Sequence, residues 1–125
     1  MGEKQHTIIV VEDNDFVRMQ IVNFLQKAGY MTIEATDGNA ALDIISDDVD
    51  LAVVDVRMEP MGGFDFIDIM QEEGYQIPVV LVTGDQQHDL LERAGQYGVS
   101  TVLMKPVQKE RLVTMVDRMI AKARA

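Results

Sequence analysis

The stretch LAVVDVRMEPMGG, from Leu51 to Gly63, decides how this chain is read. An apolar run climbs through Val53 and Val54 and stops at a carboxylate, Asp55. Met58, Pro60 and a glycine pair follow. A short apolar run bounded by turn residues is the pattern of a strand covered on both faces. The acid at its end has two readings. Aspartate is a common turn residue, because its carboxylate binds nearby backbone. It can equally be a reactive group held out at the edge of a sheet. The neighbouring elements bear on the choice.

Upstream, TIIVV (Thr7 to Val11) reads as a β-branched strand. DFVRMQIVNFLQKAG follows, with Val17, Ile21, Phe24, Leu25 and Ala28 at helical spacing on one face. MTIEA from Met31 is a second strand, and NAALDIIS a second helix after an Asp37-Gly38 turn. Beyond Asp55 come a helix (FDFIDIMQEE), a strand (IPVVLV), a helix (QHDLLERAGQY), a strand (STVLM) and a last helix. That helix, RLVTMVDRMIAKA, places Leu112, Val116, Met119 and Ala123 on one face. Gly29, Gly74 and Gly98 each follow a helical stretch, as C-terminal stops do. Strands alternating with helices predict a parallel sheet with right-handed crossovers. The expected fold is α/β: a doubly wound five-stranded parallel sheet in the flavodoxin-like order 2-1-3-4-5, helices on both faces. The 125 residues suit one domain, 1–125, with no internal repeat.

Composition narrows the function. Hydrophobic residues make up 47% and charged ones 26%, an ordinary globular balance. Without cysteine there is neither a disulfide framework nor thiolate chemistry. The net charge of -10, from 21 acidic and 11 basic residues, repels phosphate backbones and argues against direct nucleic-acid binding. MGEKQHT lacks the apolar core of a signal peptide, and no run is long enough to span a membrane, so the cytoplasm is expected. Nine methionines could form an adaptable surface, but Met19, Met115 and Met119 lie in amphipathic helices and read as core filler. His6 and His88 have no ligand spacing and are assigned no metal.

In doubly wound sheets ligands bind outside the carboxyl ends of the strands. Strand one ends in Glu12-Asp13, strand three in Asp55, strand four in Thr83 and strand five in Lys105-Pro106. Each has a plain structural reading: acids favour a helix N-terminus, Asp55 a turn, Thr83 a helix cap, Lys105 a solvated loop. Those readings leave the conjunction unexplained. In the order 2-1-3-4-5 these strands are neighbours, so three carboxylates, a hydroxyl and an ammonium meet at one edge. Crowded carboxylates repel and call for a cation. Oxygen donors of this kind suit Mg²⁺. Aspartate can act as a nucleophile and form an aspartyl phosphate, whose oxygens the metal, Lys105 and Thr83 could neutralise.

The motifs VVEDN, VVDVRM with Met61 and Gly63 downstream, LVTG and LMKP, in this order, resemble the receiver domains of two-component response regulators, of the CheY-like kind. The resemblance covers essentially the whole chain. It implies that Asp55 accepts a phosphoryl group from a sensor histidine kinase or a histidine phosphotransfer domain. It implies Mg²⁺ held by Asp13, Asp55 and the backbone carbonyl of Arg57, with Glu12 acting mainly through a metal-bound water. Thr83 and Lys105 would contact the phosphoryl group, and the Lys105-Pro106 peptide would be cis. A downstream protein would read the face made by helix four, strand five and helix five. Three departures stand out. Glu59 follows Met58 where the family often has proline, and Pro60 comes one later. Val102 stands where an aromatic residue commonly switches. Arg57 and Asp85 flank the site, two residues past Asp55 and Thr83.

Other classes fit less well. An aspartate-nucleophile phosphatase resembles DxDxT, but DVRME puts Arg57 where the second acid belongs. A flavodoxin-like cofactor carrier needs a phosphate loop after strand one, where EDND would repel phosphate. A pseudo-receiver adaptor would keep the fold without the chemistry, and Val102 and Glu59 keep that reading open.

Overall fold

A computed structural model describes residues 5–84, 89–99 and 101–124. The strands are β1 (Thr7–Val11), β2 (Met31–Ala35), β3 (Leu51–Asp55), β4 (Val79–Thr83) and β5 (Thr101–Met104). The helices are α1 (Asp15–Lys27), α2 (Gly38–Ile44), α3 (Gly63–Glu72), α4 (Leu90–Gln96) and α5 (Lys109–Arg124). All strand pairs are parallel, and the order is β2-β1-β3-β4-β5. The fold is the doubly wound, flavodoxin-like α/β fold the sequence predicts.

Every residue of β3 and β4 is buried, which explains why neither alternates in polarity. Successive side chains point to opposite faces and so feed two cores. Ile9, Val11, Ala52, Val54 and Leu81 pack against α2, α3 and α4 through Ala41, Phe66, Ile67, Met70, Leu90 and Ala94. Ile8, Val10, Val53, Val80 and Val82 pack against α1 and α5 through Ile21, Val22, Leu25, Leu112, Val116 and Ile120. Among the described residues no helix is long and apolar enough to cross a membrane.

Several sequence expectations need correction. Met19 is 65% exposed: it sits two residues from Ile21, about 200° round the helix from the buried stripe. Met115 and Met119 do pack, half-buried, against the α1/α5 core. Ala28 is exposed because it is the C-cap of α1, past the last regular turn, and Val22 is the buried residue the stripe reading missed. Ala123 is likewise exposed, and Ile120 takes its place. Asp37-Gly38 is a cap rather than a turn: the Asp37 side chain accepts the Ala40 N–H at 3.0 Å, and Gly38 opens α2. The glycine stops hold. Gly29, Gly74 and Gly98 have φ of 97°, 93° and 75°, the left-handed conformation that ends helices. Asp85, Gln87 and His88, and Ser100 at the head of the expected fifth strand, lie outside the described residues.

Candidate functional site

β1 delivers Glu12. Its N–H donates to Ala35 O at 3.0 Å, extending the ladder one residue beyond the strand, and the residue is 1% exposed. Glu12 Oε2 accepts the Asn14 N–H at 3.0 Å. Asn14, not either acid, caps α1, its Oδ1 accepting the Val17 N–H at 3.0 Å. Glu12 and Asp13 are therefore free of the capping duty that would have explained them structurally. Asp13 is exposed beside them.

β3 delivers Asp55, 5% exposed. The chain beyond it is pinned on both sides: Val56 N–H donates to Val82 O at 3.1 Å, and Gly63 N–H to Val56 O at 3.0 Å. That second bond brings α3 so close that a Cβ on Gly63 would lie 2.4 Å from Asp55 O. The glycine is required by close approach of two backbones. Gly63→Ala is expected to cost about 2 kcal/mol, as overpacking does, and to displace Asp55. Urea unfolding measures the first effect and the Asp55 amide shift the second; an unchanged midpoint would refute the crowding argument.

β4 delivers Thr83, 2% exposed, one residue beyond the partner of Asp55 in the β3–β4 register. It does not cap α4, whose cap is Asp89. β5 delivers Lys105, whose N–H donates to Thr83 O at 2.8 Å. Its Nζ lies 2.8 Å from Glu12 Oε1 and 3.4 Å from Asp55 Oδ2. The first contact is an ion pair by distance, but it lies off the line of a directed hydrogen bond, and Glu12 Oε1 keeps unused acceptor capacity. Lys105-Pro106 is cis, and so is Glu59-Pro60.

Glu12, Asp13 and Asp55 each offer an oxygen, and these atoms lie within 4.8 Å of one another. Asp13 and Asp55 both have raised pKa values, and burial is the first cause in each. Burial pushes the Asp55 carboxyl above its ordinary range, against the Lys105 ammonium and a backbone hydrogen bond from Arg57. Burial and the neighbouring Glu12 push Asp13 up as well. For Lys105, burial alone would favour the neutral amine, but pairing with Glu12 and Asp55 outweighs it and raises the pKa. The edge thus carries more negative charge than its one ammonium offsets. All three acids are oxygen donors, so a hard divalent cation fits them. An open cleft of about 620 Å³, lined by Asp13, Arg57, Glu59, Pro60 and Asp65 among others, leads out from the site.

The sequence matches the response regulator receiver domain family over residues 8–117, a span that takes in all five strand ends described above. The chain belongs to the response regulator receiver domain family. It is similar to a cyclic di-GMP phosphodiesterase of Thermotoga maritima, 29% identical over 85% of this chain, and to the response regulator SaeR of Staphylococcus aureus, 26% identical over 94%. It spans 28% of the first and 51% of the second. The chemotaxis protein CheY4 of Vibrio cholerae matches in structure with a TM-score of 0.84 and 27% identity, over 93% of this chain and 99% of that one. Receiver domains are signalling modules of two-component systems, and this receiver domain keeps the acidic pocket where the family binds Mg²⁺.

The receiver domain also contains contacts that sequence reading passed over. Arg18 lies 13% exposed behind the acids, its Nη1 donating to Glu12 O at 2.9 Å. Arg93 of α4 sits 4.3 Å over the Phe64 ring, and Phe64 meets Tyr97 with centroids 5.7 Å apart. Gln71 Nε2 donates to Tyr97 O at 2.7 Å, fastening α3 to the end of α4. No sequence signal marks these residues, since each is a polar or aromatic group on a helix or, for Tyr97, at the end of one.

Proposed function

We propose that this receiver domain, residues 1–125 acting as one unit, accepts a phosphoryl group on Asp55 from a phosphohistidine of a sensor histidine kinase or histidine phosphotransfer domain. One observation carries the reading: Lys105 reaches both Glu12 and Asp55 at the edge where three acids crowd together. Asp13, Asp55 and the Arg57 carbonyl would hold Mg²⁺, with Glu12 behind a bound water. Bound there, the ion supplies neutralisation of negative charge on the phosphoryl oxygens.

This chain's own residues do the rest. An Asp55 carboxylate oxygen attacks phosphorus, the P–N bond breaks, and the donor imidazole keeps the electron pair and takes a proton. Lys105 pairs with the phosphoryl oxygens, and Thr83 donates its hydroxyl to one of them. The open cleft at Asp13 and Arg57 gives the donor side chain access. The domain acts in the cytoplasm and presents α4, β5 and α5 to a downstream protein, without itself binding nucleic acid. The test is incubation with acetyl phosphate and Mg²⁺ followed by intact-mass measurement. A gain of one phosphoryl mass is expected with Mg²⁺ and not with a chelator, and no gain in either would return the chain to the adaptor class.

The response leaves the site by an unusual route. Val102 packs half-buried against the α2–α4 core, and valine is too short and stiff at χ1 to swing as an aromatic does. The α3–α4 contacts of Phe64, Arg93 and Tyr97 are better placed to move as a unit. With beryllofluoride as phosphoryl mimic, amide shifts are expected to be larger at Gly84 and across Leu90–Gln96 than at Val102. Large shifts over Thr101–Met104 with α4 unmoved would put the signal elsewhere.

A further inference from the structure

We infer that Arg18 is a positioning residue for the metal site: its bond to the Glu12 carbonyl fixes the peptide that carries Asp13. The inference rests on the metal reading above.

Glu12 is held at several points. Its N–H is tied to Ala35 O and its Oε2 to Asn14 N–H, while Lys105 faces its Oε1. Asp13 is tied locally: the hydrogen bonds of its carboxyl are to the neighbouring Glu12 side chain and to its own backbone. It is the exposed member of the three acids and lies between the end of the β1 ladder and the Asn14 cap. The Glu12–Asp13 peptide plane sets where its carboxylate points. The oxygen of that peptide is the Glu12 carbonyl, which accepts Arg18 Nη1 at 2.9 Å.

Arg18 is in turn locked. Its Nη2 donates to Asp15 Oδ1 at 2.7 Å and its Nε to Glu34 Oε1 at 3.1 Å. A guanidinium uses its planar fork to make several bonds at once, so the donor aimed at Glu12 O has little freedom. The anchors come from α1 and β2, and neither Asp15 nor Glu34 belongs to the cluster of three acids. A ligand held by an outer partner of this kind typically loses about tenfold to a hundredfold in metal affinity when the partner is removed.

Charge and position pull in opposite directions here, which makes the inference decidable. Arg18 is a cation near a cation site, so removing its charge alone favours metal binding. Removing its grip on the peptide disfavours it. Isothermal titration with Mg²⁺ is carried out on the wild type, Arg18→Gln, Arg18→Lys and Glu34→Gln, below the unfolding temperature of each. Arg18→Gln is expected to bind about tenfold more weakly. Arg18→Lys, which keeps the charge and one donor, falls between it and the wild type. Glu34→Gln leaves the Glu12 bond in place and stays near the wild type.

Equal or tighter binding by Arg18→Gln, with wild-type binding intact, overturns the role and leaves the metal site standing. If Arg18→Gln does not fold, Arg18→Lys decides, and wild-type affinity in that variant overturns the role. A wild type that binds no Mg²⁺ overturns the metal reading and this inference with it.

Discussion

Asp55→Asn is expected to abolish phosphoryl uptake while making the metal-free protein more stable at neutral pH. The first effect follows because an amide oxygen is a poor nucleophile, and the proposal places the reacting oxygen on Asp55, which ends β3 with its Oδ2 3.4 Å from Lys105 Nζ. The second follows from burial. Asp55 is 5% exposed, and burial raises its pKa above 3.8 even though Lys105 opposes the shift. A carboxyl whose folded pKa is raised penalises folding above that pKa, where the folded state holds a charge it disfavours. The penalty fades as pH falls from the folded pKa towards the unfolded value and is gone below it. Asparagine carries no such penalty. Its advantage, about 1 kcal/mol at neutral pH, should therefore shrink on acidification. Urea unfolding of both proteins in chelator across this pH range gives the difference directly. A gap that widened as pH fell would mean that Lys105 outweighs burial. Wild-type phosphoryl gain by Asp55→Asn would remove Asp55 from the proposed mechanism.

The parts of this molecule that were legible in the sequence are those where one physical demand dominates. β3 and β4 are covered on both faces, so their runs are apolar without alternation and could be read as central strands. Once those strands were placed, the polar residues ending them had to share an edge, and the structure brings Glu12, Asp13, Asp55 and Lys105 together there. Thr83 ends the strand next to Asp55. What could not be read depends on tertiary choice. Asn14 and Asp37 take the helix caps, and nothing local distinguishes them from the neighbouring acids. Gly63 reads as half of a glycine pair and as part of a motif, whereas the physical need for it is set by Asp55 O arriving from another element. Met19 fits an apolar helix in composition but falls on the wrong side of it. Arg18 looks like any solvated helical arginine until the Glu12 carbonyl behind it, one residue past β1, is known.

Asp13→Ala is expected to weaken Mg²⁺ binding about a hundredfold or more, the largest loss of any single acid in the cluster, and to remove most metal-dependent phosphoryl uptake. The three acids are not equivalent. Glu12 and Asp55 are buried and face Lys105, so part of their charge is already answered within the protein. Asp13 is exposed and, among the described residues, makes no ion pair with Lys105, yet its carboxyl is pushed up by burial and by Glu12. It is the member whose charge Lys105 answers least, and it lines the open cleft beside the acidic edge. On the proposed metal reading, losing it would remove a ligand and also lower the negative potential that draws a cation in. Because Asp13 is exposed and does not cap α1, the metal-free fold should change by no more than about 0.5 kcal/mol. Thermal unfolding separates the two effects. The wild type should gain stability with rising Mg²⁺, as any protein does whose folded state alone binds a ligand. Asp13→Ala should unfold near the wild-type temperature in chelator and gain little when Mg²⁺ is added. Asp13→Asn, which keeps an oxygen but not the charge, should lie between them. If Asp13→Ala instead gained as much from Mg²⁺ as the wild type, the ion would be held elsewhere, and the acidic edge would owe its crowding to Lys105 alone.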